Sequence, residues 1–184
     1  MTVGKLDFQP VEEHFDLVGE PVGDFIQVSN LVGILVSEID PDLSDTKAFC
    51  EKYDIGQESA VNCVIVEARR ADRTWYAACM IPATERIDVN GTVRKELDAR
   101  KISFAPMDTA ISLTSMEYGA ITPIGLPEDW TILVDENAAQ LEYAVIGSGI
   151  RKSKLLIPGS LFSSLPNAKI MSLTKASASE KSSA

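Results

Sequence analysis

The chain has 184 residues, 45% hydrophobic, 24% charged and 7% aromatic, an ordinary globular composition that excludes disordered and collagen-like classes and suffices for a core without a disulfide or metal staple. Its formal charge of −10 is unevenly placed: residues 1–60 carry 13 acidic and 3 basic side chains, whereas residues 61–184 carry 14 of each. The acid excess therefore does not exclude a phosphate-bearing partner, because Arg94/Lys95, Arg100/Lys101 and Arg151/Lys152/Lys154 form local basic clusters, although the default reading of any one cluster is a solvated face.

The opening stretch MTVGKLDFQPVEEH has neither the basic region nor the apolar block of a signal peptide. The longest apolar runs are strand-sized, far below the ~20 residues of a membrane-spanning helix. The expected location is the cytoplasm, with no membrane contact, and with Cys50, Cys63 and Cys79 as thiols. Residues 1–43 place Pro10, Pro21 and Pro41 between short apolar pieces such as 31–36. They read as an acidic N-terminal extension, one strand or helix within loops, packed on the following domain.

That domain is expected over residues 44–171. Ser44 is the candidate cap of a helix running to Tyr53, with Ala48 and Phe49 inward and Gly56 as the stop. Residues 61–68 and 74–81 read as strands of a hairpin, the first apolar on both faces and hence central. Asp88 or Asn90 caps a helix carrying Val93 and Leu97, and Pro106 opens one carrying Ala110, Ile111 and Leu113. Residues 130–134, 141–146 and 155–157 read as strands, and Ser160 caps a last helix that ends before Pro166. With no regular βαβ repeat, the pattern predicts an α+β fold with a mixed, barrel-like sheet surrounded by short helices. Residues 172–184, small and polar, are expected to be a disordered tail.

The only histidine, His14, lies in the irregular acidic segment. Ser-His-Asp, Cys-His and His-based zinc chemistry therefore have no support, and a surface or capping role is the bland reading of His14. No GxxxxGK[ST] or GxGxxG is present. No metal or cofactor is expected. Two glycine loops remain. Gly119-Ala-Ile-Thr-Pro-Ile-Gly125 is short and stiff and can present backbone groups at fixed positions. Gly147-Ser148-Gly149 follows a predicted strand and precedes Arg151, Lys152 and Lys154, an order suited to an anion. For either loop alone, a plain tight turn is the simpler reading.

Taken in order, the strand AVNCVIVEA, the strand YAACMIP, DVNGTVRKEL, KISFAP, the loop YGAITPIG, TILVDE and VIGSG before KLLIPGSL resemble the YbaK/prolyl-tRNA-synthetase-associated editing family over residues 45–170. The Gly119 to Pro123 element with Gly125 is the most specific part. The resemblance implies a six- or seven-stranded mixed barrel and a pocket for the aminoacyl ester at the 3′ end of tRNA. It implies hydrolysis by a water that backbone groups position, without a side-chain nucleophile. Carried onto this chain, it assigns Asn62, Gly119, Thr122 and Pro123 to catalysis, and Gly125, Gly147, Ser148, Gly149, Arg151 and Lys154 to substrate binding. Asn62 stands where relatives carry lysine, which weakens or redirects activity unless Arg151, Lys152 or Lys154 supplies the charge. The alternative expectation is a module that binds aminoacyl-tRNA or a synthetase without turnover. Asn62 could also merely satisfy a buried backbone group, and Cys63 is expected on the opposite face, in the core.

Overall fold

The computed structural model describes residues 1–174. In chain order these form β1 (Thr2–Val3), β2 (Leu6–Asp7), β3 (Gln9–Pro10), α1 (Glu20–Val28), β4 (Leu35–Glu38), α2 (Thr46–Tyr53), β5 (Val61–Arg70) and β6 (Arg73–Pro82). There follow a wide helical turn at Val89–Val93 running into α3 (Arg94–Glu96), then β7 (Lys101–Phe104), α4 (Met107–Thr114), β8 (Thr131–Asp135), α5 (Glu136–Ala139), β9 (Ala144–Gly147), β10 (Ser153–Ile157) and β11 (Ala168–Met171).

The β5–β6 hairpin is the spine. Its strands pair from Val61↔Pro82 to Arg70↔Arg73, so the polar arginine stretch expected as a loop is mostly strand, and the turn is only Ala71 and Asp72. β8 joins β6 in parallel, β11 joins β8 in parallel, and β7 lies antiparallel to β5, giving the order β11-β8-β6-β5-β7. A second sheet has the order β3-β4-β10-β9 and meets the first through a parallel bridge between Ala60 and Val145. The domain expected from residue 44 onward thus contributes seven strands, β5 to β11, to a mixed barrel-like pair of sheets.

Alternation along β5 explains why both its faces are apolar. Val61 and Ile65 point into the core between the sheets with Met80, Ile132, Val134 and Ile146. Val66 and Ala68 point outward, where Val89, Val93 and Leu97 cover them with Cys79 and Leu133. Each face is therefore buried by a different layer.

The first 43 residues do more than supply one element. β4 pairs with β10, and Ile34 and Val36 are 1% exposed in the central core. The segment is a structural part of the second sheet. At the other end, Leu173 is fully buried and its N–H donates to Asp135 Oδ2 at 2.8 Å. Residues 172–174 therefore belong to the packed domain, and the rest of the expected tail lies outside the described residues.

Two of the expected caps shift, and one of two candidates is fixed. Asp45, not Ser44, caps α2, accepting from the Lys47 and Ala48 N–H groups, and Asp54 in the left-handed conformation ends it before Gly56 is reached. Asp88 is the cap of the 89–96 turn, accepting from Gly91 and Thr92. Ser160 lies inside the 3-10 helix Gly159–Ser164, whose cap is Pro158. Leu113 on α4 is 42% exposed. No helix of the described residues is long and apolar enough to cross a membrane.

Candidate functional site

A cavity of about 380 Å³ opens between the start of α2, one edge of β5, the 118–121 loop and the β9–β10 pair. The β5 edge is open for a topological reason. β7 pairs with β5 only over 66–69, and the last contact on that side is the Ala105 N–H donating to the Ile65 carbonyl at 2.9 Å. Odd-numbered residues of β5 therefore turn their backbone groups toward this edge. Between the Ala60 bridge and Ile65, Cys63 presents its N–H and C=O to the cavity, and among the described residues no strand lies across from them.

Polar side chains converge on the same space. Asn62 Oδ1 accepts from the Thr46 hydroxyl at 2.7 Å, so its partner is a side chain rather than a buried backbone group. That bond uses the acceptor and leaves the amide NH₂ donors of Asn62, which borders the cavity, for a guest. From the opposite sheet comes Lys154. It is 6% exposed, donates to the Ser44 carbonyl at 2.9 Å, and sits 5.4 Å from the centroid of Phe49. Burial lowers its ammonium pKa to about 8, with Cys50 and Asp45 opposing the shift and Arg151 adding to it. One backbone acceptor uses one of three ammonium protons, so two remain for a bound oxygen. The cavity wall thus holds one buried cation, one amide donor and one strand edge.

The residues expected at the site separate into two groups. Asn62, Gly119, Gly147 and Lys154 line the cavity. The two glycine loops are joined directly, with the Gly149 N–H donating to the Ala120 carbonyl at 2.8 Å. Gly125 and Gly149 instead lie against α1 and the turn before it: a Cβ at Gly125 would be 2.3 Å from the Pro21 carbonyl oxygen, and one at Gly149 would be 2.9 Å from Val22. Ser148 is fully buried and its hydroxyl serves the loop, bonding to the Ile150 and Ser153 carbonyls and to Ser153 Oγ. Arg151 reaches outward to the Pro41 carbonyl. Thr122 and Pro123 are buried and are not among the residues that line the cavity. Thr122 is 0% exposed, and its hydroxyl has no hydrogen-bond partner among the described residues. Replacing that hydroxyl by a methyl removes an uncompensated desolvation, so Thr122→Val is expected to stabilise the fold by about 1 kcal/mol, read as a higher midpoint in urea unfolding.

Asp45, Thr46, Phe104 and Tyr118 also border the cavity, and no sequence signal assigned them. Thr46 and Asp45 were legible only as the start of a helix. Cys63 packs on the central core, as expected from alternation, yet its backbone meets the cavity. Burial pushes its thiol well above the ordinary range, and Cys79 up to about 12. Burial thus disfavours the reactive thiolate form of both.

Residues 40–162 match the family described as aminoacyl-tRNA editing domain. No curated protein matches the chain. Among solved structures, a candidate trans-editing enzyme for prolyl tRNA synthetase is 12% identical with a TM-score of 0.73, covering 85% of this chain and 96% of its own. A hypothetical protein is 17% identical at the same TM-score of 0.73, covering 85% and 100%. A scaffold from work on epitope backbone grafting is 13% identical at 0.73, covering 86% and 97%. At such identities the likeness is one of fold.

Proposed function

Because the chain belongs to the aminoacyl-tRNA editing domain family, we propose that it hydrolyses the ester of a misacylated tRNA in this cavity, with Lys154 supplying the positive charge that Asn62 lacks. The observation that carries this reading is the arrival of a buried lysine from β10 in the cavity that Asn62 lines from β5. The ester is already activated, so the protein needs to place a water against the carbonyl and stabilise the oxyanion. The Lys154 ammonium, the Asn62 amide and the Cys63 N–H are preformed donors for that oxygen. The attacking water loses its proton, and the departing sugar oxygen takes one up. No imidazole, thiolate or metal is required in this scheme.

The first test is a panel of mischarged tRNAs incubated with purified protein. Release of at least one amino acid well above the buffer rate is the expected result, and buffer-rate release for every tRNA would remove the proposal. A second reading, a module that binds aminoacyl-tRNA or a synthetase without turnover, is favoured by a single observation: the position of the strand lysine is an asparagine already bonded to Thr46. Tight binding of aminoacylated but not uncharged tRNA, without release, would select it.

A further inference from the structure

One basic cluster and one group of exposed side chains are absorbed by nothing described so far, and β7 connects them. At one end of β7, Arg94, Arg100, Lys101 and Ile102 line a shallow groove with Asn90. At the other end, Phe104 lines the mouth of the cavity. Lys101 and Phe104 are the two ends of this four-residue edge strand, about 10 Å apart at the usual rise and on opposite faces, so a path between them rounds the edge of the sheet. Tyr118 lines the same cavity.

The chemistry of the two ends differs. Arg94, Arg100 and Lys101 are exposed, and among the described residues no carboxylate pairs with any of them. The carboxylates of the same stretch are engaged elsewhere, Glu96 with Lys169 and Asp98 with Arg70. The groove therefore keeps a net positive charge in a protein of formal charge −10. Phe104 and Tyr118 are 60% and 55% exposed. Large exposed aromatic rings at a cavity entrance suit guests with flat faces. Cations followed by aromatic platforms form the pattern that holds single-stranded nucleic acid, the charges on its backbone and the rings on its bases.

We propose that β7 is the track for the single-stranded 3′ end of the tRNA, with Arg94, Arg100 and Lys101 on backbone phosphates and Phe104 and Tyr118 stacked on the terminal bases, delivering the acyl group to the cavity. This deepens the editing reading and rests on it for the direction of the strand, but the surface itself is tested by binding alone. An end-labelled, uncharged tRNA transcript is titrated with the full chain by fluorescence anisotropy over a series of salt concentrations. Arg100→Glu with Lys101→Glu is expected to weaken binding at least ten-fold and to flatten the slope of log affinity against log salt, by about 0.7 for each phosphate no longer neutralised. Phe104→Ala with Tyr118→Ala is expected to weaken binding about ten-fold with the slope unchanged, because stacking releases no counterions. The milder pair Arg100→Gln with Lys101→Gln, with circular dichroism on every variant, distinguishes a weakened surface from an unfolded chain. Wild-type protein that does not bind the transcript, or charge-reversed protein that binds with the same affinity and slope, overturns the track. Binding abolished in these variants while no mischarged tRNA is hydrolysed would uphold the track and remove the deacylase reading.

Discussion

Lys154→Met is expected to lower kcat/KM for deacylation about 100-fold while leaving thermal stability unchanged or higher. A preformed donor to a developing oxyanion contributes on the order of 100- to 1,000-fold in rate when removed from other active sites, and Lys154 is the one buried ammonium of the cavity. The same burial makes its charge costly to the fold. A pKa lowered from 10.5 to about 8 corresponds to a penalty of about 3 kcal/mol. The sign follows from proton counting. Below about pH 8 folded and unfolded chains both carry the proton, and the penalty is present in full. Between about 8 and 10.5 only the unfolded chain holds it, so this residue's contribution makes stability rise with pH across that window. Methionine, of similar length and apolar, escapes the penalty. Activity should move the other way. If the ammonium is the working form, kcat/KM corrected for spontaneous hydrolysis turns downward above about pH 8, and the Lys154→Met profile lacks that turn. A wild-type rate that rises through the same pH would instead make neutral Lys154 a base. The buried Lys154 also sets what Asn62→Lys should do. Placing a lysine at position 62 in the presence of Lys154 brings two ammonium groups into one cavity, which disfavours both charges. A gain is expected only in the Lys154→Met background, where Asn62→Lys moves the cation to the other wall.

The second large effect is mechanical. Gly147→Ala is expected to destabilise the protein by about 3 kcal/mol, a fall in melting temperature of roughly 6–12 °C for a chain of this size. A Cβ at this position would lie 2.3 Å from the Ala120 carbonyl oxygen and 2.7 Å from that of Ile121. Both obstacles are backbone, so the 119–121 loop must move away from β9. That movement breaks the Gly149 N–H to Ala120 bond and widens the cavity where Gly119 and Gly147 meet. Deacylation should fall along with stability. Gly119→Ala provides the contrast. Its Cβ would meet only Ser44 Oγ at 3.6 Å, but its φ of +83° is unfavourable for any side chain. The cost there is conformational, about 1–2 kcal/mol. Equal melting temperatures for the two variants would contradict the assignment of close packing to Gly147 and backbone conformation to Gly119.

What the sequence determined by itself was whatever local chemistry dictates. The hairpin over 61–82 followed from two β-rich runs, and the mixed α+β class from elements without a βαβ repeat. An acceptor before a short amphipathic turn narrowed its cap to Asp88 or Asn90, and the structure chose Asp88. A resemblance in element order named Asn62, Gly119 and Gly147 as candidates, and all three line one cavity. Tertiary structure alone decided which basic residue enters the cavity. Arg151 and Lys154 are three positions apart near the start of one strand, but Arg151 turns to the Pro41 carbonyl outside and Lys154 to the Ser44 carbonyl within. Their spacing cannot say which side chain is inward until β10 is paired with β4 and β9. Likewise, Gly125 and Gly149 have the same residue type and backbone hand as Gly119, yet they pack on α1 and its preceding turn because of what folds against them. The open edge of β5 is the clearest case. It exists because β7 is only four residues long and pairs no further than Val66, a fact of register between segments more than thirty residues apart that no local pattern contains.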